Sequence, residues 1–214
     1  MIELFISAFV TFFVVIDPPG CAPIFASLTA GAPASHRRNM AIRSVVMAAI
    51  ILFVFAVFGE AFLGALGISL DAFRIAGGIM LFMIALEMVF EKRTERRESR
   101  AQDVMAQEHE DISIFPMAIP MIAGPGSIAS AMLLTSRSNG MPESLVVLGA
   151  LVAVLLLTML CLLVAGPLMK LLGYRLEAMI TRLLGVLLAA LAAQMDEAIA
   201  SQTEARHRRA KRQS

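Results

Sequence analysis

The 214 residues are 58% hydrophobic and only 16% charged, against roughly 25% charged in an average soluble domain. Mean hydropathy is +0.79, more apolar surface than a soluble fold of this size can cover, whereas a bilayer accepts an outward apolar face. The formal net charge of +1, with basic residues dispersed and interleaved with acids, gives no footprint for nucleic acid.

A transmembrane helix needs about 20 apolar residues, and six segments qualify in chain order. The first, residues 4–28, is interrupted by Asp17-Pro18-Pro19-Gly20. The second, 44–63, is almost unbroken, and the third, 68–90, carries Asp71, Arg74 and Glu87. The fourth, 112–134, is interrupted by Ala123-Gly124-Pro125-Gly126. The fifth, 145–165, is again almost unbroken, and the sixth, 171–193, holds Arg175, Glu177 and Arg182 in its first half. Runs such as Ile51-Leu52-Phe53-Val54 do not alternate as barrel strands do. The expected fold is therefore all-α, a polytopic membrane protein of six helices with helices 1 and 4 broken.

Charge divides the chain further. Twenty of the 18 Lys and Arg and 17 Asp and Glu residues lie in 91–111 and 194–214. The expected organisation is a first three-helix repeat over 1–90, a charged cytoplasmic linker over 91–111, a second repeat over 112–194 and a polar basic tail over 195–214. The linker is expected to extend the third helix as a solvated connector.

Duplication is suggested by two landmarks in register. Pro19-Gly20 and Pro125-Gly126 lie 106 apart, and Arg74-Ile75-Ala76-Gly77 and Arg182-Leu183-Leu184-Gly185 lie 108 apart. Three spans per copy force the second copy to enter from the opposite side, an inverted repeat of the kind found in secondary transporters. Ten Lys and Arg flank the loops after the odd spans and six lie on the other side, which predicts cytoplasmic odd loops and periplasmic termini. The basic tail opposes that assignment.

The breaks carry the functional argument. Proline removes a backbone donor and glycine tolerates the dihedrals of a break. A broken helix also presents a new N-terminus whose N–H groups and positive dipole end favour a carboxylate. The amides of Gly20, Cys21 and Ala22, and of Gly126, Ser127 and Ile128, are the candidates to bind one. Asp17 is the one carboxylate deep in the first span and a functional candidate by default. It either contacts a substrate ammonium, a coupling cation or a proton, or caps the following half-helix; the two roles are compatible. Ser127 offers a hydroxyl for capping or binding. Arg74 and Arg182 are expected to anchor at interfaces or pair with carboxylates, and Glu60 and Glu87 to snorkel or pair locally. Cys21 and Cys161 read as small buried hydrophobes. His36, His109 and His207 lack metal-ligand spacing, and no catalytic motif occurs. We therefore expect no enzyme, no resident cofactor and no metal, with Na+ or H+ as possible coupling ions. Small-residue pairs such as Gly77-Gly78 permit close helix approach within or between chains, so the sequence leaves oligomeric state open.

The runs Ile16-Asp17-Pro18-Pro19-Gly20-Cys21-Ala22-Pro23-Ile24-Phe25 and Phe115-Pro116-Met117-Ala118-Ile119-Pro120-Met121-Ile122-Ala123-Gly124-Pro125-Gly126-Ser127-Ile128 resemble signatures of the MarC family of bacterial membrane proteins. The pieces Arg74-Ile75-Ala76-Gly77-Gly78-Ile79 and Arg182-Leu183-Leu184-Gly185-Val186-Leu187 are similar to it too. The resemblance covers about residues 1–194. It implies a six-helix inner-membrane protein, related to transporters of small neutral amino acids such as glycine and alanine. It also implies that Asp17, Pro18, Pro19, Gly20, Gly124, Pro125, Gly126 and Ser127 line the substrate cavity. The chain departs from the family after Gln194, where it turns polar. The expected function is secondary transport of a small zwitterionic solute; the alternative is a non-transporting membrane scaffold or regulatory protein.

Overall fold

The computed structural model describes residues 1–106, 111–169, 176 and 178–193, and among them there are helices and no strands. In chain order these are α1 (Ile2–Ile16), α2 (Pro18–Leu28), α3 (Ala34–Ala65), α4 (Leu70–Val89) and α5 (Lys92–Ala106). An irregular helical segment, Ser113–Ile122, then precedes α6 (Pro125–Ser136) and α7 (Met141–Leu163), and α8 covers Ala178–Ala193.

Four helical stretches are long and apolar enough to cross a bilayer: Ile2–Leu28, Ala34–Ala65, Leu70–Val89 and Met141–Leu163. A fifth crossing results if Ser113–Ile122 and α6, which meet at a 54° bend, act as one. The sixth expected span ends in α8, shorter than a full crossing; its residues 171–175 and 177, like the tail from 194, lie outside the described residues. The expected break in the first span is present at Asp17, and that in the fourth at Ala123-Gly124.

Helix α3 explains why the second span reads as it does. Its 32 residues measure about 48 Å at 1.5 Å per residue, so the polar first turns, with Arg37, Arg38 and Arg43, extend beyond the apolar stretch. Ala41, Val45, Ala48, Leu52 and Leu63 are buried on one side, while Val46, Ile50, Val54, Val57, Phe58 and Phe62 are exposed on the other. A helix apolar on both its packed and its outward face needs lipid on the outside.

The centre is small-residue packing around α1. Ala8, Phe12 and Ile16 join Ala41, Ala48, Ala150, Leu151 and Val154 in the main core. A second core gathers Val14, Val15, Leu81, Ala85, Met88, Leu133, Leu184 and Leu188. There Gly185 of α8 lies so close to Ala85 and Met88 of α4 that an added Cβ would collide with them. Helix α1 packs on α6 and α7, and α2 packs on α7, α5 and Ser113–Ile122. Each broken stretch thus meets the other with opposite halves together.

Within the expected linker, residues 91–106 are more than a solvated connector. Helix α4 ends at Val89, Glu91 turns the chain at φ 60°, and α5 packs against α4, α2 and Ser113–Ile122. The expected outward extension of the third helix is replaced by a helix docked on the bundle.

Candidate functional site

The first break follows directly from its residues. Gly20 and the two prolines stand where N–H groups would meet the carbonyls of Val14, Val15 and Ile16 in a continuous helix. Pro18 and Pro19 have no N–H to give. The Gly20 N–H donates instead to Asp17 Oδ1 at 3.2 Å. Asp17 sits in the left-handed region (φ 58°, ψ 66°), which Asp tolerates better than most residues. In that conformation it closes α1, its N–H donating to Phe13 O at 2.9 Å, and opens α2, its carbonyl accepting from the Cys21 N–H at 3.1 Å. A Cβ at Gly20 would strike the Asp17 carboxylate, so the cap requires glycine there.

The break frees the carbonyls of Val15 and Ile16 at the C-terminal end of α1, where partial negative charge favours cations. Helix α5 supplies them. Arg93, Arg96 and Arg97, spaced i, i+3, i+4, share one helical face. Arg93 donates to Val15 O at 2.5 Å and contacts Met88 Sδ at 3.0 Å. Arg97 Nη1 donates to Asp17 Oδ2 at 3.0 Å. Its Nη2 reaches Ile16 O at 3.4 Å and Met121 O at 3.5 Å. Arg96 pairs with Glu87 of α4 at 2.7 Å. The Asp17 and Arg97 side chains are only 1% and 8% exposed; such a pair holds when its remaining lone pairs and protons are bonded. Arg93 bonds no carboxylate among the described residues. Burial, and then the Arg97 charge, push its guanidinium down to about 10, which leaves it protonated at neutral pH.

The second break is built differently. Phe115 and Ile119 are extended, each preceding a cis proline. The Ala123 N–H donates to Ala118 O at 2.9 Å. Gly124 then opens α6 in an extended conformation with no side-chain cap, and Pro125 takes the first helical position, where its missing N–H costs nothing. Gly126 lets α6 approach α4 and α1: a methyl there would meet Ile84 and Val15. A cavity of about 360 Å³ opens beside this N-terminus, lined by Gly124, Pro125, Gly126 and Ser127, by Met80, Met83, Ile84 and Glu87 of α4, and by the three arginines.

The expected site residues therefore fall into two sets. Gly124, Pro125, Gly126 and Ser127 border the cavity. Asp17, Pro18, Gly20 and Cys21 are buried and Pro19 half-buried, and none of the five borders it; the cavity meets Asp17 through Arg97. The amides of Gly20 and Cys21, expected to await a ligand, are bonded to Asp17 itself. Cys21 and Cys161 are free thiols, and the Cys21 thiol donates to Ile16 O at 3.6 Å. Arg74 pairs with Asp71 at 3.3 Å and Arg182 with Glu91 at 2.5 Å; Glu87 pairs locally with Arg96, while Glu60 borders a separate cavity with Thr135, Ser136 and Ser144. Sequence reasoning missed Arg93 and Arg97. The signal was present, because a carboxylate deep in a span demands a cation and 91–111 is rich in arginine.

A helical bundle with exposed apolar faces, two broken stretches and a buried ion pair between them defines a polytopic integral membrane protein. The chain belongs to the MarC family of integral membrane proteins, whose family model matches residues 2–200. It is 38% identical over 194 residues to a UPF0056 membrane protein of Methanocaldococcus jannaschii, covering 91% of this chain and 94% of that one. It is 35% identical over 201 residues to the UPF0056 membrane protein YvbG of Bacillus subtilis (91% and 93% covered). To YhcE of Escherichia coli it is 32% identical over 186 residues (86% and 85%). No solved structure matches.

Proposed function

We propose that this chain is a secondary transporter of small zwitterionic solutes, with neutral amino acids such as glycine and alanine as the substrate class. The observation that carries the reading is one guanidinium touching both breaks, Ile16 O in the first and Met121 O in the second, beside a cavity at the N-terminus of α6. Irregular backbone inside a membrane protein is tolerated where protein or a polar cavity satisfies it, and crossed half-helices are how many transporters build a site. The α6 N-terminus, with Gly126 and Ser127, suits a carboxylate. Asp17 and the carbonyls at the end of α1 suit an ammonium group or a coupling Na+ or H+.

The same reading makes the chain six helices in two inverted repeats, in a bacterial inner membrane with periplasmic termini. It is supported by the opposite-half packing of the two broken stretches, by a long helix after each, and by α4 meeting α8 at Gly185. A second reading, a non-transporting scaffold, is favoured by the complete internal bonding of the Asp17 carboxylate. The test is uptake of labelled glycine and alanine by liposomes under imposed Na+ and H+ gradients. Saturable uptake, lost in Asp17→Asn, is the expected result. No uptake from folded, inserted protein would move the assignment to another solute or to the scaffold.

A further inference from the structure

Three oxygens converge where the two breaks touch: Asp17 Oδ2, Ile16 O and Met121 O, all bonded by Arg97 at 3.0–3.5 Å. The set carries one negative charge and no donor. Chemically it is a receptor for a small cation, and its present occupant belongs to neither broken helix.

That occupant comes from α5, whose first eight residues, Lys92-Arg93-Thr94-Glu95-Arg96-Arg97-Glu98-Ser99, contain no apolar side chain. Burial of hydrocarbon holds α1, α3 and α7 in place. This stretch of α5 is instead held by guanidinium groups, on Val15 O, on Glu87 and on Asp17. Charge-assisted hydrogen bonds are strong individually, yet another cation of suitable size can replace one. The joint to α4 is a single left-handed residue, Glu91, so α5 is tethered beside the crossing without being continuous with a span. Tethering gives Arg97 an effective concentration on the order of millimolar, which a free cation has to match.

We propose that Asp17, Ile16 and Met121 form a site for a small monovalent cation or a primary ammonium group, and that Arg97 is a tethered competitor that closes it. The inference builds on the transporter reading, since it names what the first break binds and what holds that break shut. Its physical content is a binding equilibrium that can be measured without transport.

The test uses the purified full chain in detergent, as wild type, Arg97→Gln and the double variant Asp17→Asn/Arg97→Gln. Thermal unfolding is followed while guanidinium, methylammonium or sodium chloride replaces choline chloride at constant ionic strength. In Arg97→Gln at least one of the three cations is expected to raise Tm saturably, by roughly 3–6 °C at ten times its Kd. At the same concentrations wild type, whose site is filled, and the double variant, whose site is neutral, stay unmoved. No saturable rise in Arg97→Gln, or an equal rise in all three chains, overturns the proposal. If Arg97→Gln shows no cooperative transition, its purification in guanidinium decides. Recovery of folded protein there but not in choline supports the site, and no recovery overturns it. The uptake assay separates this inference from the transporter reading. A cation effect without uptake keeps the site and removes transport; uptake without a cation effect does the reverse.

Discussion

The two breaks solve one problem in opposite ways. At the first, the carboxylate of Asp17 caps α2, α5 covers the freed carbonyls with arginines, and only those arginines, not Asp17 to Cys21, border the cavity beside α6. At the second, Gly124 opens α6 with no side-chain cap, and Gly126 and Ser127 border open space. A break closed by charge is a stability element whose parts depend on one another. A break closed by small residues is cheap to build and leaves its N-terminus available to something else.

That contrast can be broken most severely at Asp17. Asp17→Ala removes the cap, puts Ala in a left-handed conformation and strands Arg97 without its counter-charge. The expected loss is about 3–5 kcal/mol, read as a collapse of the unfolding midpoint in detergent. Asp17→Asn keeps the cap and the backbone tolerance, so the gap between the two variants isolates the cap from the charge. Next in size is Gly126→Ala, whose methyl presses on Ile84 and Val15. Overpacking of this kind costs about 1–3 kcal/mol, and the same thermal assay checks it. Ser127→Ala sharpens the comparison from the other side. It is expected to leave Tm unchanged while raising the KM for uptake about tenfold, the equivalent of about 1.4 kcal/mol. A large Tm loss in Ser127→Ala would mean that the second break is as self-contained as the first.

The smallest effect lies outside both breaks. Asp111 accepts from the Ser113 hydroxyl and from the Ser113 N–H at 2.9 Å, and pairs with Arg43 at 2.7 Å. The Ser113 bonds, aided by Arg43, hold its carboxyl below the usual range against a smaller opposing effect of burial. A depressed carboxylate pKa stabilises the fold above the unfolded value and loses that contribution as pH falls through the folded one. The pair is partly exposed, so Asp111→Asn is expected to lower Tm only slightly near neutral pH. The difference from wild type should vanish in acid, as a pH series of melts would read.

Much of the fold was legible because lipid imposes simple rules. Apolar length marked the crossings, and Pro-Gly pairs marked both breaks within a residue or two. The sixth expected span is not among the helices long enough to cross, since the described part of it, α8, is short. In the site, Asp17 was legible as an isolated intramembrane carboxylate, and Gly124 to Ser127 as the start of a half-helix. Arg93 and Arg97 were not, because KRTERRES reads as solvated on composition alone, and only the docking of α5 turns its arginine face inward. The capping bonds were ambiguous for a related reason. A motif shows that Asp17 has donors within reach but not whether a ligand or its own chain takes them.

The buried pair also has a consequence for biosynthesis. Asp17 and Arg97 are 80 residues apart, so the first broken stretch is made well before its counter-charge. A lone Asp at the centre of a helix opposes insertion by about 2.5–3.5 kcal/mol, which the apolar residues of the Ile2–Leu28 stretch are numerous enough to outweigh. For that interval the carboxylate has no partner from α5 and depends on other polar groups around the inserting chain. Truncated nascent chains ending before and after Arg97 should therefore differ in how firmly their first span is seated.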